Sequence, residues 1–386
     1  MIQALSTKNF KSFKELSLVF KPLTILCGVN GSGKSSLIQL LLLLKENVVS
    51  GGKSIDVPFA GRCYDIGRQR DILYKWTQEY RCEISVEGKD QSLSFYADMP
   101  ESQWSFDYAQ FQTKEEGDGN LVDCLKQIKY LSADRLAPRQ HHQNSYYAIR
   151  DMEIGRYGEN AVAMLARYGN NIVPQELCHD FCGSDDDDES TKGILSYQVN
   201  AWMQEISHGV SVKAVPKEDI VDLEVRYSSG DTAVFRPQNV GFGISYVLPV
   251  LVMILTAKRG DCLLIENPGA HLHPRGQSAL GRLLVKAASH GIQIIIETHS
   301  DHVVNGIRVG CKKCADEHPE ECAAEDDVKY YGGAIINFFE RVVAGTDDLA
   351  EQYTQVTPIR IEADGELECY PAGFLDEWPH QMGELA

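Results

Sequence analysis

Gly28-Val29-Asn30-Gly31-Ser32-Gly33-Lys34-Ser35 is a Gly-x4-Gly-Lys-Ser stretch, set between an apolar run at 23–27 and a Leu-rich run that begins at Leu37. Glycines at those spacings let backbone N–H groups turn inward around a phosphate, and a helix that starts there adds the positive end of its dipole. A strand before and a helix after are the context in which this pattern means a phosphate-binding loop. The pattern predicts that Asn30, Gly31, Ser32, Gly33, Lys34, Ser35 and Ser36 bind a nucleotide, ATP with Mg²⁺. Lys34 would bridge the β- and γ-phosphates, and the Ser35 hydroxyl would ligate magnesium.

Outward from the loop, residues 2–7, 16–20 and 23–27 read as strands and 37–45 as a helix with an apolar face. Residues 50–100 alternate polar and apolar, most clearly at 80–86 and 91–97, which predicts an antiparallel sheet. Helical spacing recurs at 157–168 and 197–206, with the acidic run Asp185-Asp186-Asp187-Asp188-Glu189 between them as a solvated loop. Residues 221–227 and 232–235 predict a hairpin, and a Gly-rich junction at 239–245 opens an apolar helix over 246–256. The rhythm then becomes α/β, with strands at 262–265 and 292–297, helices at 277–289 and 302–309, and short strands in the tail.

Two of those strands end in chemistry. Cys262-Leu263-Leu264-Ile265-Glu266 delivers an acid of the kind that completes a magnesium shell. Ile294-Ile295-Ile296-Glu297-Thr298-His299 repeats the logic, with a histidine able to reach a γ-phosphate or its attacking water. Glu266 and His299 are the candidate catalytic residues, and Ser35 and Glu266 the candidate magnesium ligands. Separately, Cys311, Cys314, His318 and Cys322 are spaced Cys-x2-Cys-x3-His-x3-Cys in a polar, Pro-containing insertion, a soft donor set that suits tetrahedral zinc. The alternative is a loop of free thiols, favoured by the acidic neighbours Asp316, Glu317, Glu320 and Glu321.

Asn9-Phe10-Lys11-Ser12-Phe13, the acid strand running on into His271-Leu272-His273-Pro274, and Thr298-His299-Ser300-Asp301 resemble the ABC-type ATPases of the SMC, RecF and OLD group. Tyr130-Leu131-Ser132-Ala133-Asp134-Arg135, Gly241-Phe242-Gly243-Ile244-Ser245 and the tail Pro371-Ala372-Gly373-Phe374 are similar to one subfamily of stand-alone prokaryotic ATPases. Its members sit beside nucleases or other effectors in anti-phage defence operons of the Septu kind. The resemblance implies an α/β P-loop NTPase, an ABC-ATPase-like head with an antiparallel β subdomain and a helical insertion. It divides the chain into an N-terminal ATPase lobe (1–125), a helical insertion (126–240), a lobe with the signature loop, magnesium acid and switch histidine (241–310), and a C-terminal region with the zinc candidate (311–386). It further implies a head-to-tail homodimer in which Gly243 and Ser245 of the signature loop face the nucleotide of the opposite protomer, and an effector subunit such as a nuclease as partner. One departure stands out. Related ATPases carry a water-polarising glutamate just after the magnesium acid or its following proline, where this chain has Asn267 and Gly269. Slow hydrolysis, or none, is the expectation.

Composition narrows the alternatives. The net charge of −18 sets the chain against direct nucleic-acid binding except through a local basic patch. That weakens a RecF- or SMC-like repair ATPase acting on DNA itself, while a non-hydrolysing ATP-bound scaffold stays open. The apolar runs at 40–44 and 247–256 are too short to span a bilayer. Eleven scattered cysteines, with no secretory pattern at the start, predict reduced thiols in a cytoplasm. No nuclease constellation is visible inside the sequence.

Overall fold

The computed structural model describes residues 1–103, 106–180, 189–227, 233–318, 333–345, 350–376, 380–381 and 383–384. The chain forms two compact units, one of Met1–Ile128, Ala334–Arg360 and Leu367–Ala386, the other of Lys129–Gly333 and Ile361–Glu366.

In the first unit an antiparallel sheet runs in the order Phe13–Val19, Ile2–Phe10, Arg81–Gly88, Gln91–Asp98, Tyr108–Gly117, Ser54–Pro58. Register explains its core. Leu5 pairs with Leu18 and with Val86, and Val86 pairs with Leu93, so the apolar positions of four strands form one row on one face. All four are at most 2% exposed, and full burial of such side chains stabilises by about 1.5–3 kcal/mol each. The expected antiparallel sheet is therefore present. The strand Leu23–Gly28 reads as a continuous apolar run because both its faces are covered. It pairs in parallel with Ala334–Ala344, which folds back antiparallel on Glu351–Arg360. The tail strands are long, where short ones were expected. From Gly28 the chain turns into the helix Lys34–Asn47, whose Leu40 to Leu44 run is wholly buried.

The second unit holds a parallel set, with Cys262–Glu266 flanked by Lys129–Leu131 and Gln293–Glu297. A smaller antiparallel sheet joins Val210–Pro216, Ile220–Tyr227 and His141–Gln143. The expected hairpin is present in part: Val225 and Phe235 exchange both backbone hydrogen bonds in an isolated antiparallel bridge, the longer ladder of Ile220–Tyr227 is with Val210–Pro216, and residues 228–232 lie outside the described ones. Helices Leu195–Ile206, Phe242–Leu255, Pro274–Ser289 and Asp301–Glu317 pack around these strands. The last two cross at backbone contact. A Cβ on Gly281 would stand 2.6 Å from the Val303 carbonyl oxygen, and one on Gly306 2.3 Å from that of Ser278, so only glycine permits the approach. Asp301–Glu317 is about twice as long as the expected 302–309 helix, since no proline interrupts it before Pro319. Cys311 and Cys314 thus lie on a helix, not in a loop insertion. No helix among the described residues is long and apolar enough to cross a membrane.

Candidate nucleotide-binding site

The phosphate-loop residues fall in the first unit. Gly31 and Gly33 take φ of 77° and 107°, the left-handed region that glycine reaches without strain. Asn30, Gly31 and Ser35 are exposed at the mouth of the loop, whereas Ser32 and Lys34 are buried. Lys34 begins the helix, and its Nζ donates to the carbonyl oxygens of Gly28 at 2.8 Å and Val29 at 2.9 Å. The ammonium is thereby held inside the curl of the loop. The helix lacks a side-chain cap and any acid in its first turn. Its N-terminal N–H groups and positive dipole end are therefore presented to an anion. These donors fit a triphosphate.

The acid and switch residues fall in the second unit. Glu266 ends the central strand of the parallel set, half-buried. The Tyr130 hydroxyl, from the adjacent strand, donates to Glu266 Oε1 at 2.5 Å. Burial pushes the Glu266 carboxyl above the ordinary glutamate range, with the charge of Glu297 adding to the rise and the Tyr130 hydrogen bond opposing it. Burial, then Glu266, likewise raises the Tyr130 phenol. Arg135, 3% exposed, donates to the backbone oxygens of Glu266 at 2.5 Å and Asn267 at 3.1 Å. Burial lowers its guanidinium to about 10, leaving it charged at neutral pH.

Beyond the strand the chain turns sharply, with Asn267 at φ 41° and His271 at φ 60°. The Asn267 N–H donates to the Glu297 carbonyl at 2.7 Å. Gln277 ties two segments together, donating to the Gly269 oxygen at 3.1 Å and accepting from the Ser300 hydroxyl at 2.8 Å. Ser300 caps the following helix by accepting from the Val303 N–H. His299 is partly exposed, with Nε2 3.0 Å from Glu297 Oε1. Glu266, Glu297 and His299 are thus gathered at the ends of two neighbouring strands, and Glu266 and Glu297 are register partners.

The signature-loop residues Gly243 and Ser245 lie on the first turns of Phe242–Leu255. Gly243 is buried, and a Cβ there would meet the His271 oxygen at 2.6 Å. The Ser245 Oγ is buried, with no hydrogen-bond partner among the described residues. Phe242, 55% exposed, occupies the outer end of the helix. Of the zinc candidates, Cys311 is buried and Cys314 has its Sγ 3.3 Å from Ser289 Oγ. His318 follows at the helix end, and Cys322 lies outside the described residues. Among the described residues no group of three or more His, Cys, Asp or Glu side chains is placed to hold a metal.

Sequence patterns did not single out Gln277, nor did they assign the supporting contacts of Tyr130 and Arg135. These contacts join segments far apart in the chain, and no local spacing announces them.

Residues 73–305 match a family described as "AAA domain, putative AbiEii toxin, Type IV TA system". Residues 1–72 match an AAA ATPase domain, and residues 333–385 match a protein family of unknown function, DUF3696. The OLD nuclease of Thermus scotoductus is 22% identical over 321 residues, covering 78% of this chain and 59% of the relative. The Old nuclease of Escherichia phage P2 is 23% identical over 371 residues, covering 81% of this chain and 59% of the relative. The chain therefore spans 59% of the length of these curated relatives. Among solved structures, an Smc head bound to the C-winged helix domain of ScpA superposes with a TM-score of 0.57 at 13% identity, covering 94% of this chain and 98% of that one. The Smc head with an extended coiled coil, bound to the C-terminal domain of ScpA from Pyrococcus furiosus, gives 0.53 at 13% identity, covering 100% and 99%. With a phosphate loop of this geometry and a family match over more than half its length, the chain belongs to that AAA-domain family, and it shares the fold of the Smc heads.

Proposed function

We propose that this chain is an ATP-binding switch, the ATPase subunit of a prokaryotic anti-phage defence complex acting in the cytoplasm. ATP binds with Mg²⁺ and holds two copies head to tail, and the nucleotide state governs a partner effector of nuclease type. The observation that carries the reading is the phosphate loop itself, with Lys34 drawn into its curl at the start of an uncapped helix. In this reading Lys34 neutralises the β- and γ-phosphates. Ser35 supplies a hydroxyl to magnesium and Glu266 a carboxylate, while the exposed start of the signature helix at Gly241 and Phe242 faces the opposite copy, with Gly243 and the Ser245 hydroxyl buried behind it. The likeness to OLD nucleases and to a family described with a toxin of a type IV system supports a defence setting.

Slow turnover follows from chemistry at two positions. Asn267 carries a carboxamide and Gly269 no side chain, so neither polarises water as a carboxylate would. His299, braced by Glu297, is the remaining group able to order the attacking water. That same substitution favours the second reading, a scaffold that holds ATP without hydrolysing it. Replacing Lys34 by Ala should remove the phosphate contact and abolish ATP-dependent dimerisation. Titration calorimetry with Mg²⁺ present is the test, and unchanged ATP affinity in Lys34→Ala would overturn the assignment.

A further inference from the structure

The hairpin formed by Ala334–Ala344 and Glu351–Arg360 lies in the region matching a family without assigned function, yet it reaches the phosphate loop. Thr354, on its second strand, is 3% exposed. Its Oγ1 donates to the Ser32 carbonyl oxygen at 2.8 Å and lies 2.9 Å from Ser12 Oγ. The Thr354 N–H also donates to the Ser12 carbonyl at 2.9 Å, which locks this strand onto the turn at Ser12. A hydroxyl has one proton and a carbonyl only accepts, so the Thr354 proton belongs to Ser32 and the Ser12 hydroxyl supplies the other bond.

We propose that Thr354 is a positioning residue of the nucleotide site, a hydroxyl clamp by which the C-terminal hairpin aims the phosphate loop at the phosphates of ATP or ADP. The Ser32 carbonyl shares a planar trans peptide with the Gly33 N–H, and across such a peptide the two point in opposite directions. Tying the carbonyl outward to Thr354 therefore turns the Gly33 N–H to the opposite side, into the loop. Gly33 is part of the same device. At φ 107° a Cβ there would stand 2.6 Å from Thr354 Oγ1 and 2.8 Å from Ser12 Oγ, so only glycine lets both hydroxyls close on the loop. Nucleotide affinity is thus linked to the seating of a hairpin more than 300 residues along the chain.

The inference rests on the nucleotide-binding reading, and the experiment separates the two. Calorimetry on the full chain with Mg²⁺ and either ATP or ADP compares the unmodified protein with Lys34→Ala, Thr354→Val and Thr354→Ser, each checked for native circular dichroism. Thr354→Val keeps the shape and removes the hydroxyl. It should weaken both nucleotides about fivefold, the weight of one neutral hydrogen bond. Thr354→Ser keeps the hydroxyl and loses only a methyl group, and should stay within about twofold of the unmodified chain by the same reasoning. Binding by Thr354→Val equal to the unmodified protein would overturn the clamp, and so would Thr354→Ser as weak as Thr354→Val, which would indicate packing alone. Should Thr354→Val not fold, Ser12→Ala takes its place: a loss in the same direction supports the clamp and unchanged affinity refutes it. Loss of binding in Lys34→Ala alongside normal Thr354 variants defeats only the clamp, whereas normal binding in Lys34→Ala defeats the nucleotide reading beneath it.

Discussion

Asn267 follows Glu266 at one of the two positions, with Gly269, where the resemblance implies a water-polarising carboxylate, and its surroundings show how a change there would act. Its backbone is fixed on both sides, the N–H by the Glu297 carbonyl and the C=O by Arg135. Its φ of 41° is one that asparagine tolerates better than most residues. Replacement by glutamate costs about 1 kcal/mol of backbone strain, and restores a carboxylate without altering those two bonds. A well-placed polar group in such a site is worth about two to three orders of magnitude in rate. Asn267→Glu should accordingly raise phosphate release by at least about tenfold, read in a steady-state assay. Gly269→Glu should not. A Cβ at that position would stand 2.9 Å from Val303 Cγ2 and 3.3 Å from Gln277 Cγ. Overpacking of this kind costs about 1–3 kcal/mol, so calorimetric melting should show a lowered midpoint with no gain in turnover. A rate increase in Gly269→Glu and none in Asn267→Glu would reverse the assignment of the missing base.

Glu205 joins two helices of the second unit, Leu195–Ile206 and Pro274–Ser289, through an ion pair to Arg282 and a 2.6 Å contact with His179 Nε2. The His179 hydrogen bond, then that of Arg282, holds its carboxyl down at about 2, although burial works against them. A lowered folded-state value means that the fold favours the ionised form. The resulting stability is present above the ordinary glutamate range and is lost as pH falls towards about 2. Glu205→Gln should therefore melt lower than the parent at pH 7, with the difference shrinking between about pH 4.5 and 2; a constant difference across that range would refute the linkage. Elements of this kind were unequally legible in the sequence. The phosphate loop, its strand and helix, and the two acid-bearing strands are local patterns, and each was readable from consecutive residues. The antiparallel sheet was readable from alternation alone. The cysteine pair reads as part of an insertion because ligand spacing draws attention from helix propensity: residues 311–317 contain neither glycine nor proline, and the helix continues through them. Thr354 was invisible for another reason. One threonine in a strand carries no signal, and its partner Ser32 lies 322 positions away. The same holds for Tyr130 and Glu266, 136 positions apart.

The molecule as a whole is acidic, at −18. Two like-charged copies repel at long range, so a closed dimer must draw its stability from the nucleotide and from short-range contacts. Dimerisation should therefore require ATP and strengthen with salt up to about 0.3 M, where the Debye length falls well below 10 Å. Light scattering across a salt series reads this directly, and a nucleotide-free dimer of undiminished mass would refute it. A switch must hold its nucleotide long enough to be read by an effector, so retention of ATP is the property on which the proposed function depends. Steady-state turnover of the unmodified chain with saturating Mg²⁺–ATP is the most direct measure. A rate well below about 1 s⁻¹, the low end of the typical kinase range, is expected, and a rate of tens per second would contradict the switch.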